Sequence, residues 1–354
     1  MALSQSFEKM AELPSKLSES SGLEAINNNL FLTHNDGGDA ARVYFLDSLG
    51  VIQREVLVAN SRNVDWEDIS VASDGRVFIG NFGNNGSNRE DLEILILPDY
   101  RKWLTDTVDP ETITFKYGDQ TVFPPPASNK VFDCEAIAFY QDSLYLFNKN
   151  WSSPFSGMTK MYVLPAKPGD YTVYPRDSVH LGMIKEIAWV TAADISDSTL
   201  YLLGSAFIWE FDFSQQPNLK NPKQLSLDHF SQKEALSIYK GALYVTDEST
   251  GGFGNLYRYT PEQTSSIPKS RPENGIKVIS TTTSCYIENP RLLSLEIGLF
   301  DMSGRLIGQI TQRNGRRIEI EKNNGRTIIS PGIYWLHIQH KGTKPLVKKV
   351  VIGR

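Results

Sequence analysis

The sequence predicts an all-β chain in two parts: a five-bladed, propeller-like repeat followed by a smaller second β-domain. Three observations carry this expectation. Short alternating apolar runs replace any helical periodicity, a motif recurs five times before residue 260, and the charge balance reverses near residue 266.

The bulk numbers agree. A chain of 354 residues with 40% hydrophobic and 22% charged residues has the composition of a packed two-domain protein. It contains no run of eighteen apolar residues, so no transmembrane segment is expected. Residues 1–10 lack an apolar signal segment, so export would mean that a signal peptide is already absent from this chain. The net charge of −5 divides unevenly. Residues 1–266 hold 21 Lys+Arg and 35 Asp+Glu, a balance of −14, whereas residues 267–354 hold 15 and 6, a balance of +9. The larger segment is therefore a poor partner for nucleic acid. Cys134 and Cys285 are far apart and fall in different expected domains, so they read as separate core residues, not as a disulfide.

The repeat begins with a strand of the form acid, any residue, small or Glu, small or Asp, Ile or Leu. It appears as Glu19–Leu23, Asp65–Ile69 and Asp133–Ile137, with weaker copies at Thr191–Ile195 and Gln232–Leu236. A second strand follows each copy: Leu30–His34, Val77–Asn81, Leu144–Asn148, Leu200–Gly204 and Leu243–Asp247. A third follows these, from Val43, Leu92, Met161, Ile208 and Leu256. The copies start 46, 68, 58 and 41 residues apart, the spacing of propeller blades with loop insertions. Five blades are expected, and the two long steps leave room for a sixth. The last copy ends after its third strand, and Ser6–Pro14 is placed to supply the missing outer strand.

Two resemblances follow. The strings Leu17–Leu23, Thr33-His-Asn-Asp-Gly37, Asp65–Ile69 and Gly80–Asn85 resemble bacterial propellers of the phytase-like, SdiA-regulated type over residues 15–260. No dense Lys/Arg cluster of the kind that would cradle phytate is present, a departure that argues against phosphatase activity. At the other end, Leu299–Ile307, Ser330–Ile338 and Val347–Ile352 look like the C-terminal sorting domain of the type IX secretion system. That resemblance implies an immunoglobulin-like β-sandwich, the secretion machinery as a partner, and a secreted or cell-surface location. The usual Tyr-Pro-Asn-Pro opening is replaced by Cys285–Pro290. Asp301–Gly304 reads as a hairpin turn and Ile333–Ile338 as a half-buried strand. The domains are expected at 1–262 and 277–354, joined by a Pro-, Ser- and Glu-rich linker over 263–276.

In a propeller the first strand of each blade lines the central channel. The repeat then stacks Glu67, Glu135 and Glu234 at one level, with Ser21 and Ala193, and sets Glu19, Asp65 and Asp133 at the next. Converging carboxylates need a counter-charge, and oxygen ligands suit a hard divalent cation, Ca²⁺ first. Asp65, Glu67, Asp133, Glu135 and Glu234 are thus the candidate metal ligands. The alternative is that each Glu accepts backbone amides of the next blade and locks the ring.

The second strands end in polar clusters that should crowd one face. From these, Asp36, Asn81, Asn84, Asn85, Arg89, Lys149, Asp247 and Glu248 are candidate ligand-binding residues, and His34 a candidate general base. An Asn-Gly turn is the other reading of Asn84-Asn85-Gly86. Trp66, Phe82, Trp151, Phe155 and Trp189 are candidate platforms for a sugar, or core residues. No Gly-x-Ser-x-Gly elbow, P-loop, His-Glu-x-x-His or zinc-spaced Cys pair occurs, which argues against ordinary serine-hydrolase chemistry and structural zinc. The expected function is binding of a small polar or carbohydrate-like ligand, with a divalent cation. A metal-dependent hydrolase and a protein-interaction scaffold are the alternatives.

Overall fold

A computed structural model of the chain describes residues 7–227, 231–248, 253–260, 276–280, 285–300, 306–312, 315–320, 332–340 and 346–352. The chain divides into two compact units, one within Leu3–Gln263 and one within Thr264–Arg354. Both are built almost wholly of strands. No helix among the described residues is long and apolar enough to cross a membrane.

In the first unit, alternating sequences broken by Gly, Asn and Asp turns give short antiparallel meanders. β1 (Phe7–Glu12) comes first in the chain but belongs to the last sheet. The first sheet is β2 (Ser20–Asn27), β3 (Leu30–Asn35), β4 (Arg42–Asp47) and β5 (Ile52–Val58), edged by the short parallel β9 (Thr107–Val108). The second is β6 (Trp66–Val71), β7 (Val77–Asn81), β8 (Glu93–Leu97) and β10 (Glu111–Tyr117), edged by parallel β14 (Gly169–Val173). β11 (Asp133–Tyr140), β12 (Ser143–Lys149), β13 (Met158–Pro165) and β15 (Asp177–His180) make the third. The fourth is β16 (Ala192–Ser196), β17 (Thr199–Leu203), β18 (Phe207–Asp212) and β19 (Lys223–Ser226). In the fifth, β20 (Gln232–Tyr239), β21 (Ala242–Glu248) and β22 (Asn255–Tyr259) are completed by β1, which pairs with β22 from Phe7↔Tyr259 to Glu12↔Asn255.

The two long steps of the repeat are absorbed at sheet edges. The first supplies β9 and the second β14, each added to the preceding sheet. The core lies between consecutive sheets. Apolar clusters join sheets one and two around Val43 and Ile79, two and three around Phe78 and Leu146, and three and four around Phe147 and Leu202. Sheets four and five meet at Ile208 and Leu243, and sheets five and one at Tyr244 and Phe31. The cycle is closed, and each cluster buries large side chains worth about 1.5–3 kcal/mol apiece. This is a propeller-like all-β unit.

A recurring irregularity prepares the site. The inner strands carry bulges between Ser20 and Gly22, Cys134 and Ala136, and Lys233 and Ala235, and a longer one between Trp66 and Ile69. The residues left out of the ladders are Ser21, Glu135, Glu234, and Glu67 with Asp68. A bulge re-aims its side chain at the cost of a ladder position. In β16 the register runs through Ala193 without interruption.

The second unit has two sheets. One contains β23 (Lys277–Ser280), β24 (Cys285–Glu288) and β27 (Arg317–Glu319). The other contains β25 (Leu295–Phe300), β26 (Leu306–Gln312), β28 (Gly332–His340) and β29 (Leu346–Ile352). Ile287 and Ile318 of one share a core with Ile297, Leu336 and Val350 of the other. In β28, Tyr334, Leu336 and Ile338 are buried while Trp335 and His337 are half-buried, the expected alternation. The expected turn at 301–304 and linker residues 263–275 lie outside the described residues.

Candidate functional site

Antiparallel pairing of each inner strand with the next brings the start of one beside the end of the other. Asp133 thus faces Lys149, Gln232 faces Glu248, and Lys233 faces Asp247. The result is a cavity of about 770 Å³. One part of its wall is acidic: Asp36, Glu67, Glu135, Glu234, Asp247 and Glu248. Trp151 and Trp189 form another part, with Lys149 beside them. Asn85, Glu186, Thr191, Ser205, Ser231, Gln232, Asn255 and Tyr257 complete it.

Glu67 is the centre of the acidic wall. It lies within one oxygen-donor group with Asp36 and Asp65 and a second with Asp133 and Glu135, the ligand atoms of each group falling within 4.8 Å of one another. Gly83 closes over it: a Cβ there would collide with Glu67 Oε1 and come within 2.5 Å of Asp65 Oδ2. Gly37 approaches from the other side, where a Cβ would meet Asp65 Oδ1 at 2.6 Å. These two positions require glycine for close approach.

The two groups differ in what their oxygens already hold. Asp133 accepts from the Asn84 amide at 2.5 Å and from Trp151 Nε1 at 2.6 Å. Glu135 Oε2 pairs with Lys149 Nζ at 3.0 Å. Among the described residues the side chains of Asp65 and Glu67 accept no hydrogen bond, and Asp36 accepts only from the Gly37 amide. The Asp36–Asp65–Glu67 group is the one with oxygens to spare, and its donors suit a hard cation.

Electrostatics mark the crowding. Burial, then the charges of Glu135, Asp36 and Asp133, push the Glu67 carboxyl well above the carboxylate range. Glu135 rises through burial against the opposing pull of Lys149, and Glu234 through burial. Burial raises Asp36 to about 6, burial and then the charge of Asp133 raise Asp65, and burial with Glu234, Asp36 and Glu19 nearby raises Glu248 to about 8. Burial alone would lower Lys149, but Glu135, Glu234, Asp133 and Glu67 outweigh it and hold its ammonium charged.

The inter-blade lock exists one residue along. Asp68 Oδ2 accepts the Ile137 amide at 2.9 Å and the Ala193 amide at 3.1 Å, so one carboxylate ties the second sheet to the third and fourth. Asp194 likewise accepts the Ile238 amide of the fifth at 2.6 Å. No such amide reaches Glu67, Glu135 or Glu234 among the described residues.

The other sequence candidates divide. Asn81 binds the Val64 and Asp65 amides, the Arg62 carbonyl and Glu93. Asn84 caps its own turn through the Asn88 and Arg89 amides. Arg89 is spent on Asp91 and the carbonyls of Gly83 and Asn81, outside the cavity. Asp247 holds Asn255 and the Tyr257 hydroxyl. His34 is fully buried, edge-on to Trp66 at 5.4 Å and packed on Gly22, and burial lowers it to about 4. It does not line the cavity. Trp66 and Phe82 are core.

No protein-family model and no curated protein matches the sequence. Among solved structures the chain is similar to the PQQ-bound aldose sugar dehydrogenase of Streptomyces coelicolor, at 11% identity and a TM-score of 0.44, over 72% of this chain and 98% of that one. A glycosyl hydrolase from Bacteroides ovatus gives 11% and 0.43, over 74% and 95%. PorZ, a surface component of the type IX secretion system of Porphyromonas gingivalis, gives 11% and 0.32, over 95% and 45%. These are likenesses of the propeller-like, all-β fold alone.

Proposed function

We propose that the chain is a secreted or cell-surface protein in which a five-bladed propeller binds a small polar or carbohydrate-like ligand together with a divalent cation, Ca²⁺ first. The terminal motifs support an immunoglobulin-like sorting sandwich addressed to the type IX machinery. One observation carries the site assignment: Glu67 is only 4% exposed, faces the cavity among six other carboxylates, and its side chain accepts no hydrogen bond from the described residues. A buried carboxylate without a partner is costly, and a cation supplies what the protein does not. Asp36, Asp65 and Glu67 would hold it, with Asp133 and Glu135 behind. The bound ion would present open coordination positions to ligand oxygens in the cavity.

Thermal melting with calcium and with chelator tests this. At calcium about 100 times its dissociation constant, stabilisation is about 2.7 kcal/mol. Glu67→Gln should shrink that response without unfolding the protein. A wild type whose melting ignores calcium overturns the metal assignment.

A further inference from the structure

The cavity wall also carries a pair of tryptophans, Trp151 and Trp189. Trp151 follows β12, and Trp189 follows the one-turn helix α1 (Lys185–Ala188). Their ring centroids are 4.5 Å apart and their planes are tilted by 48°. Both indole N–H groups are committed, Trp151 to Asp133 and Trp189 to the Asn150 carbonyl at 2.6 Å. The rings are therefore fixed, and what remains to offer is their faces.

Those faces already hold a cation. Lys185 Nζ lies 4.7 Å from the Trp151 centroid and 4.8 Å from that of Trp189. Lys149 lies farther out, at 5.6 and 5.3 Å, and is paired with Glu135. Lys185 has no ion pair among the described residues, so the indoles are its partners. Its helix is anchored by buried Ile187 and Ala188, which leaves a half-buried, four-carbon side chain able to swing into water.

We propose that the tryptophan pair is a cage for an organic ammonium group, that Lys185 is its internal occupant, and that the ligand is a small amine that displaces it. The proposal rests on the acidic cavity being a ligand site. An ammonium with an apolar shell gains the ring quadrupoles that now hold the Lys185 ammonium. A neutral sugar gains only the ring contact, and an anion is repelled. Amino sugars and quaternary ammonium compounds share this chemistry.

Titration of the full chain by calorimetry and tryptophan fluorescence decides it, using glucosamine, choline, glucose and acetate as probes. Glucosamine or choline should bind at least about tenfold tighter than glucose, with acetate silent, and whichever of the two binds tighter identifies the source. Lys185→Met should tighten ammonium binding several-fold by removing the competitor. Trp189→Leu should weaken it about tenfold and Trp189→Phe less, the latter guarding against a folding artefact. Equal binding of glucose and glucosamine, or an unchanged affinity in Lys185→Met, overturns the cage while leaving a ligand cavity. Absence of binding by every probe overturns both.

Discussion

Lys149 Nζ lies 3.0 Å from Glu135 Oε2, in an ion pair whose side chains are only 12% and 2% exposed. No other ion pair among the described residues is so withdrawn from water on both sides. Removing one partner of a buried pair strands the other's charge. Lys149→Met should cost about 3 kcal/mol in calcium-free buffer, and Lys149→Met with Glu135→Gln should recover most of it. Urea melts of the two variants check this, and an unaltered single variant would mean that Glu135 is already protonated.

Gly83 tests the tightness of the carboxylate group. In Gly83→Ala the new methyl must displace Glu67 and Asp65, so the calcium-dependent rise in melting temperature should disappear. The accompanying loss of stability should be about 1–3 kcal/mol, as for other overpacked sites. A variant that melts and responds as the wild type does would show that the loop can withdraw.

Asp68 and Glu67 are neighbours with separable duties. Asp68→Ala orphans the amides of Ile137 and Ala193, for a cost of about 2 kcal/mol or more. That loss should be the same with calcium and with chelator, unlike the effect of Glu67→Gln. Parallel melts of both variants in both buffers give the comparison.

His34 makes the fold acid-sensitive. Its imidazole is held at about 4 against an ordinary 6.5, so between these values the unfolded chain binds more protons than the folded one. Its contribution is fully present above about pH 6.5, falls as pH drops toward 4, and is on the order of 3 kcal/mol. Asp36, raised to about 6, acts with the opposite sign, so the informative quantity is the difference between wild type and His34→Gln across that window. Identical pH profiles would remove His34 from the account.

The two units should also separate. A fragment ending at Pro261 retains all five sheets of the first unit and should melt cooperatively, whereas deletion of residues 348–354 from the full chain should abolish secretion. An aggregating fragment would tie the first unit's folding to the second.

The strands were legible because alternation and turn residues are local signals. The central acidic wall was legible too, since Asp-x-Glu recurs at Asp65 and Asp133 in register with the inner strands. The bulges were not, because no residue type demands one, yet they decide where Glu67 and Glu135 point. Asn81, Asn84 and Arg89 carry the same polar chemistry whether they serve a ligand or their own turn; the structure engages them with backbone groups. Trp151 and Trp189 were each visible as aromatic candidates. Their pairing was not, since they arrive from loops of different sheets 38 positions apart.

The pairing of β1 with β22 has a consequence for synthesis. β1 is made before the rest of its sheet and waits unpaired for almost the whole unit, and the circle shuts only when Tyr259 arrives opposite Phe7. Its edge is open to other chains during that interval. Because Phe7 and Tyr259 end up side by side, β22 could be joined to β1 and the chain opened between β1 and β2 instead. Such a rearranged chain would lay its sheets down in order and have no strand left waiting.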